Sequence, residues 1–412
     1  MIRSVLYLAL IFSASLFLRI GFTAYYRGGL DTVPTRSVAG ADGVEYDQLA
    51  RSVAAGNGYA DETGKRTSFR APGLPLFLAA LYTLFGVDYA VAYCSFAVLG
   101  GLGAVAAYLL GAELVGNQFG RFAAVFAAIY PGDIFACSYF FSENLFAPCL
   151  GFGLWFILRH ARKDSLGDLL FAGLLLGYSA LTRSFGILFL PIFALYLVWR
   201  PVTRRGLFGA GLYCLGFLLV VAPWTVRNFE AHGKFVLIAT NGGSTFYGAN
   251  NDLVSGSPRE YGNWVSTTRL EGRDRIDAQP DEVAHDKMEW KLGVEWVGQH
   301  PDQFAKLAPF KVLRFWSPFV QWPSLKTYPF VNVASTTPFL IVIAIGFATS
   351  LRRRTDRKKF AALHLTMAAN LIMVVIFWGD PRFRDANTPV LMVYAVLGGA
   401  WIRSLGRGRS VG

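Results

Sequence analysis

Long apolar runs separated by short polar breaks dominate the chain. The runs cover approximately 4–26, 88–111, 119–132, 143–158, 168–182, 184–199, 206–223, 334–351, 360–378 and 386–402. About 30 Å of hydrocarbon is crossed by roughly 17–25 apolar residues in helical conformation. Repetition at this density predicts an all-α integral membrane protein of about ten spanning helices. Gly and Pro fall inside several runs, as membrane helices tolerate. Ser4 to Tyr25 is too long for the apolar core of a secretory signal, and no small-residue cleavage site follows, so it is read as a retained first span.

The breaks assign the sides. With the N-terminus cytoplasmic, the inner loops carry Arg121; Arg159, Arg162 and Lys163; Arg200, Arg204 and Arg205; the run Arg352, Arg353, Arg354, Arg357, Lys358 and Lys359; and Arg403, Arg407 and Arg409. Every short basic loop then falls on one side, as the positive-inside rule requires, and shifting the count by one span scatters them. Both termini are therefore expected in the cytoplasm.

Segments 27–87, 224–333 and 379–385 face outward on this count. In 224–333, Ala284, Met288, Leu292 and Trp296 recur at helical spacing until His300-Pro301. This predicts a small helical cap, too small for a separate enzyme domain. The chain divides accordingly into an N-terminal membrane module 1–223, an outer region 224–333 and C-terminal spans 334–412.

Composition agrees with this division. Hydrophobic residues make up 54% and charged residues only 16%, against about a quarter charged in soluble domains. The net charge of +12 sits in short loops between spans, which points to a membrane cause and not to nucleic acid. Cys94, Cys137, Cys149 and Cys214 lie in or beside apolar segments without CxxC spacing, so they read as small buried hydrophobes.

Polar residues with chemical potential collect at the outer boundary. Asp42, Glu45 and Asp47 open an amphipathic helix with apolar positions Tyr46, Leu49, Ala50 and Val53. Asp42 with Glu45 three residues later has the form of a capping box, and Glu45 and Asp47 fit a solvated helix face. Arg70 precedes an apolar run of 12 residues ending at Gly86, too short to span and read as an interfacial helix. Arg70 either snorkels to headgroups or clamps a phosphate. Glu143 enters the fourth span among aromatics, a costly place for an acid unless it is paired. Arg183 lies at the outer turn between spans five and six, and Arg227 and Asn228 follow Pro223-Trp224 at the outer end of span seven. Span interiors are nearly free of charge, whereas transporters place ionisable groups near the midplane. A site at the outer boundary suits a lipid-borne substrate with its headgroup in water.

His160, His232, His285, His300 and His364 show no metal-ligand spacing, and His364 reads as a packed or hydrogen-bonded residue. Gly100-Gly101-Leu102-Gly103 reads as helix packing.

The motifs Asp42-x-x-x-Tyr46-x-x-Leu49-Ala50, Gly56-x-Gly58-Tyr59 and Arg70-x-Pro72-x-x-Pro75-Leu76-Phe77 together resemble the first outer loop of bacterial family 39 glycosyltransferases. These belong to the GT-C superfamily, with the protein O-mannosyltransferases and the lipid A aminoarabinose transferase. Ser142-Glu143, Leu181-Thr182-Arg183, Pro223-Trp224-x-x-Arg227-Asn228, Asn241-Gly242-Gly243 with Tyr247-Gly248, and Pro381-Arg382-Phe383 follow in the same order. The resemblance runs from residue 1 to about 400 and implies a GT-C type bundle with interfacial helices in the first outer loop.

It further implies an enzyme of the bacterial inner membrane that takes a sugar from a polyprenyl phosphate and gives it to an envelope lipid, glycan or protein. Asp42 matches the family's catalytic base, and Arg70 falls where a related transferase has a basic residue near the lipid phosphate. The mannosyltransferases proper carry an Asp-Glu pair here, whereas the next acid in this chain is Glu45, so the acceptor class stays open. The chemistry needs a base for the acceptor hydroxyl and cations for the departing phosphate, and a single displacement inverts the sugar. Asp42 is the expected base and Glu143 its helper. Arg70 and Arg183 lead the phosphate candidates, with Arg227 and Arg382 behind them. Glu45, Tyr46 and Tyr247 are candidate substrate contacts. No cofactor is firmly implied; a divalent cation at Asp42, Glu45 and Asp47 is left open. A lipid flippase would need a polar path through the spans that the sequence does not show, and a non-catalytic assembly subunit would make carboxylate substitutions silent.

Overall fold

The computed structural model describes residues 2–199, 203–318, 329–352 and 354–405. Arg200, Arg353, Arg407 and Arg409 of the basic loops lie outside them. The described residues are helical throughout, apart from turns and one isolated bridge between Ala60 and Arg66.

Helices stand at all ten apolar runs. They are α1 (Ile2–Arg27), α4 (Tyr89–Leu114), α5 (Asn117–Ile129), α7 (Glu143–Lys163), α8 (Leu166–Thr182), α9 (Phe189–Val198, after a 3₁₀ turn Ser184–Leu188), α10 (Arg204–His232), α16 (Pro329–Arg352), α18 (Ala361–Ile376) and α20 (Thr388–Leu405). The expectation of ten spans is met only in part. Five helices are long and apolar enough to cross a membrane: Leu6–Arg27 within α1, then α4, α10, Val333–Arg352 within α16, and α20. α8, the Ser184–Val198 segment and α18 are shorter apolar helices. α10 continues through Pro223 to His232, beyond the end of its apolar run.

Close packing rests on small residues, as in membrane bundles generally. A Cβ on Gly173 of α8 would stand 2.1 Å from Tyr213 O of α10, and one on Gly216 of α10 would stand 2.4 Å from Leu170 O of α8. Gly100 and Gly101 of α4 face Arg19 and Phe12 of α1, which bears out the packing reading of that cluster. Arg19 is a buried charge within α1. It is ion-paired to Asp133 of α6 (Pro131–Ala136) and donates to Ala128 O at 2.9 Å and Ala127 O at 3.1 Å. His364 is hydrogen-bonded to Ser350 Oγ at 2.8 Å, as expected of a packed histidine. All four cysteines are free; Cys137 and Cys149 are buried, Cys94 and Cys214 partly so.

The loops after α4 and α7 and the start of α10 meet at one end of the bundle. There Arg162 of α7 pairs with Glu113 of α4, Arg159 of α7 with Asp168 of α8 at 3.4 Å, and Arg205 of α10 with Asp164 at 2.7 Å.

Most of the remaining helices stand at the opposite end. The first loop contains α2 (Arg36–Ala54) and α3 (Gly73–Phe85), and α3 is a short apolar helix at the 12-residue run. Gly86 stops α3 with φ +77°, a conformation that favours glycine. The segment expected to face outward holds α11 (Gly242–Ala249), α12 (Asp252–Gly256), α13 (Arg273–Asp277), α14 (Glu282–Gln299) and α15 (Pro301–Phe315), with the helix break at His300-Pro301 where the sequence puts it. α17 (Arg354–Lys359) lies in the basic loop between α16 and α18, and α19 (Pro381–Asp385) in the loop between α18 and α20.

The capping-box reading of Asp42 is overturned. α2 begins six residues earlier, with Thr35 at the N-cap, because Arg36 to Ala41 present nothing that prevents the helix from extending backward. Asp42 and Glu45 are therefore interior helix residues. The solvated-face reading fails for Asp47, which is buried and accepts from Tyr82 Oη at 2.6 Å, Arg51 Nε at 2.8 Å and Tyr89 Oη at 3.2 Å. These bonds pin α2 to α3 and α4.

Candidate active site

Asp42 and Glu45, three residues apart, share a face of α2 and meet the guanidinium of Arg70. Arg70 Nη2 stands 2.9 Å from Asp42 Oδ1 and Nε stands 2.5 Å from Glu45 Oε2. The guanidinium also lies 5.1 Å from the Phe69 ring centre and 5.8 Å from that of Tyr46, which is buried. Arg70 is carried by the turn before α3, whose first residue is pressed against the end of α8: a Cβ on Gly73 would meet Thr182 Oγ1 at 2.6 Å, and Tyr178 Oη donates to Gly73 O at 3.0 Å.

The next residue of α8's chain is Arg183, whose guanidinium pairs with Glu143 and lies 4.4 Å from the Phe383 ring centre. Glu143, the first residue of α7, is 3% exposed and also accepts from Ser142 Oγ at 3.1 Å. Arg382 closes the arrangement. Its Nε is 2.6 Å from Glu143 Oε1, its Nη2 is 3.1 Å from Asp42 Oδ2, and it stacks 4.4 Å from the Phe141 ring centre. α19 is seated for this task at two points: Asp380 Oδ1 accepts from Arg382 N at 2.9 Å, and Asp385, paired with Arg384 at 2.8 Å, accepts from Tyr130 Oη at 2.7 Å.

Charges of alternating sign thus run Glu45, Arg70, Asp42, Arg382, Glu143, Arg183. Burial alone would raise the Asp42 pKa, but Arg70 and Arg382 outweigh it and hold the carboxyl at about 2. Burial works against the Arg70 and Arg382 cations, yet Asp42 beside the first and Glu143 beside the second raise both above the ordinary guanidinium value. The Asp42 side chain keeps 27% exposure, so the chain of charges opens to the outside at its centre. Arg183 Nε is buried without an acceptor.

Two candidates stand elsewhere. Arg227 Nη1 donates to Thr67 O at 2.7 Å and Nη2 to Tyr59 O at 2.6 Å, so its guanidinium braces the first loop from behind. Tyr247 is buried in α11, where its hydroxyl donates to Glu271 O at 2.7 Å. Asp42, Glu45 and Asp47 do not converge, because Asp47 turns to Tyr82 and Tyr89, and no group of three or more potential metal ligands occurs among the described residues. The sequence reading put Asp47 on a solvated face and missed Glu282, which anchors the Arg70 segment from α14. Asp47 had one signal, its place beside Tyr46 and Leu49–Ala50 on the apolar face; Glu282 had none.

Residues 69–226 match the family model described as dolichyl-phosphate-mannose-protein mannosyltransferase, so the GT-C resemblance carried by the motifs holds over that stretch. No curated protein matches the chain. The fold is that of the oligosaccharyltransferase of Archaeoglobus fulgidus. Against its complex with zinc and sulfate the TM-score is 0.60 at 16% identity, covering 97% of this chain and 50% of the other. Against the same enzyme with an inhibitory peptide and a dolichol-phosphate it is 0.58 at 15% identity, covering 99% and 52%. The chain therefore spans about half the length of those transferases. ArnT from Cupriavidus metallidurans in the apo state aligns at a TM-score of 0.45 and 18% identity, covering 96% and 76%.

Proposed function

We propose that the protein is a glycosyltransferase that moves a sugar from a polyprenyl-phosphate donor to an envelope lipid, glycan or protein on the outer face of a bacterial inner membrane, with inversion. The observation that carries this reading is the alternating chain of Asp42, Glu45, Glu143, Arg70, Arg183 and Arg382, assembled from five separate stretches of sequence. Support comes from the mannosyltransferase family match and from the Archaeoglobus enzyme of the same fold, whose structure is known in complex with a dolichol-phosphate.

In this mechanism the donor phosphate engages Arg70, Arg183 and Arg382, and Arg183 Nε supplies an unused donor. An incoming phosphate that draws Arg70 and Arg382 away from Asp42 removes the two charges that suppress its basicity. Asp42 then takes the acceptor hydroxyl's proton as that oxygen attacks the anomeric carbon, and the phosphate departs against the arginines. Glu143 holds Arg382 and Arg183 in place. The donor binds first because it arms the base.

The test is mass spectrometry of envelope lipids and glycans from cells with and without the gene, followed by transfer with purified protein and the matching polyprenyl-phosphate sugar. A glycan absent without the gene and formed in vitro supports the reading. Identical envelopes and no transfer contradict it.

A further inference from the structure

The stretch from Tyr59 to Arg70 has a single bridge as its only regular structure, yet Arg70 at its end must be held accurately to serve a phosphate. Two helices outside the site hold it. From α10, Arg227 binds Thr67 O and Tyr59 O, while Ser68 Oγ donates to Asn228 Oδ1 at 2.7 Å and lies 2.8 Å from His232 Nε2. From α14, at the start of a helix in the outer region, Glu282 accepts from Ser68 N through Oε1 at 2.8 Å and from Thr67 Oγ1 through Oε2 at 2.6 Å. Glu282 Oε1 also accepts from Thr240 Oγ1, and Thr240 N donates to Ser68 O at 2.9 Å, which ties both sides of Ser68 to the same scaffold.

We propose that Glu282 is a positioning residue for the donor site: through Thr67 and Ser68 it fixes the backbone two residues ahead of Arg70, and so sets where that guanidinium stands against Asp42 and Glu45. This rests on the reading of Arg70 as a donor-phosphate ligand. The outer helical region then acts as part of the active-site scaffold. Hydrogen bonds to an ionised carboxylate are about twice as strong as neutral ones, so Glu282 is a strong anchor of residues 67 and 68 beside Arg227 and Asn228. Without it, the loop regains the backbone freedom that ordering had removed.

Full-length protein in nanodiscs carries the test, with Glu282→Ala, Glu282→Gln and Arg70→Ala compared. Gln keeps an acceptor for Ser68 N and can donate to Thr67 Oγ1, so it rescues most of the loss. Glu282→Ala speeds amide hydrogen exchange at 67–70 and raises the donor KM about tenfold with the acceptor KM unchanged. On an Arg70→Ala background it adds little further loss in donor use, because the residue acts through Arg70. Faster exchange with an unchanged donor KM, a loss that multiplies fully with Arg70→Ala, or unaltered exchange each overturns the proposal. If the wild-type protein transfers no sugar, the functional reading has failed separately. Thermal unfolding of the same variants then decides the positioning claim: coupled effects of Glu282→Ala and Arg70→Ala sustain it, and strictly additive effects overturn it.

Discussion

Asp42 and Arg382, from opposite ends of the chain, stand 3.1 Å apart at one end of the helical bundle. Arg382 also holds Glu143 at 2.6 Å, so one guanidinium joins the two carboxylates that the sequence marks as chemical. Asp42 is thereby placed at the centre of the charge network and opens to the outside.

Replacing Arg382 should therefore damage more than a phosphate contact. Arg382→Ala leaves Glu143 with Arg183 alone, and breaking one partner out of a buried pair costs on the order of 3 kcal/mol. A clear fall in the unfolding temperature in detergent is expected together with loss of transfer. Arg382→Lys keeps the charge but lacks the planar fork; it should retain most stability and lose transfer at least about tenfold. Equal transfer by Lys and Arg at this position would argue against a two-carboxylate bridge.

Arg70→Ala and Arg183→Ala should weaken use of the donor more than they weaken folding. A charge-assisted bond to phosphate is worth about 1.5–3 kcal/mol, roughly ten- to a hundredfold in donor KM. Steady-state kinetics with the polyprenyl-phosphate sugar measure it, and unchanged donor kinetics in stable variants return both arginines to a purely structural role.

The ion pairs of Asp42 also predict a pH signature. Its folded pKa of about 2 lies below the unfolded value of about 3.9. Its contribution to stability is therefore fully present above the unfolded value and is lost as pH falls through the folded one. The stability difference between wild type and Asp42→Asn should be constant from pH 5 to 8 and should shrink on acidification below about pH 4. Thermal melts across that range check the sign. Asp286 in α14 titrates in the opposite sense. Burial pushes its carboxyl up to about 6 although Gly243 N donates to it at 2.6 Å. Its contribution favours the fold at lower pH and declines as pH rises toward 6, a slope that Asp286→Asn should remove.

Much of the fold was legible because the bilayer is a demanding solvent. All ten apolar runs are helices, α3 ends at Gly86, and α14 stops where His300-Pro301 interrupts the pattern. The start of α2 was not legible. Asp42 with Glu45 satisfies the local capping pattern, and only the chain before it, which continues the helix to Arg36, shows otherwise. Arg70 and Arg382 stood out as outer-face cations, yet nothing local says that both meet Asp42. The same holds for Asp47 and Glu282, whose partners come from other elements. Arg227 and Tyr247 follow the family's motif order, but their bonds go to Thr67 and Glu271 and leave them outside the charge network.

The central claim is that Asp42 is the base, and transfer kinetics of Asp42→Asn beside Glu45→Gln test it most directly. Asn and Asp have similar helix propensities, and each substitution removes one carboxylate from Arg70; Asp42→Asn removes one from Arg382 as well, so thermal unfolding of both variants is measured beside their kinetics. General-base assistance typically contributes 10²–10⁴-fold in rate, and Asn cannot supply it. Asp42→Asn should bind donor yet transfer sugar at least about a hundredfold more slowly, while Glu45→Gln stays within about tenfold of wild type. If Asp42→Asn transfers sugar as fast as Glu45→Gln does, Asp42 is only a counter-ion to Arg70 and Arg382, and Glu143 becomes the leading candidate for the base.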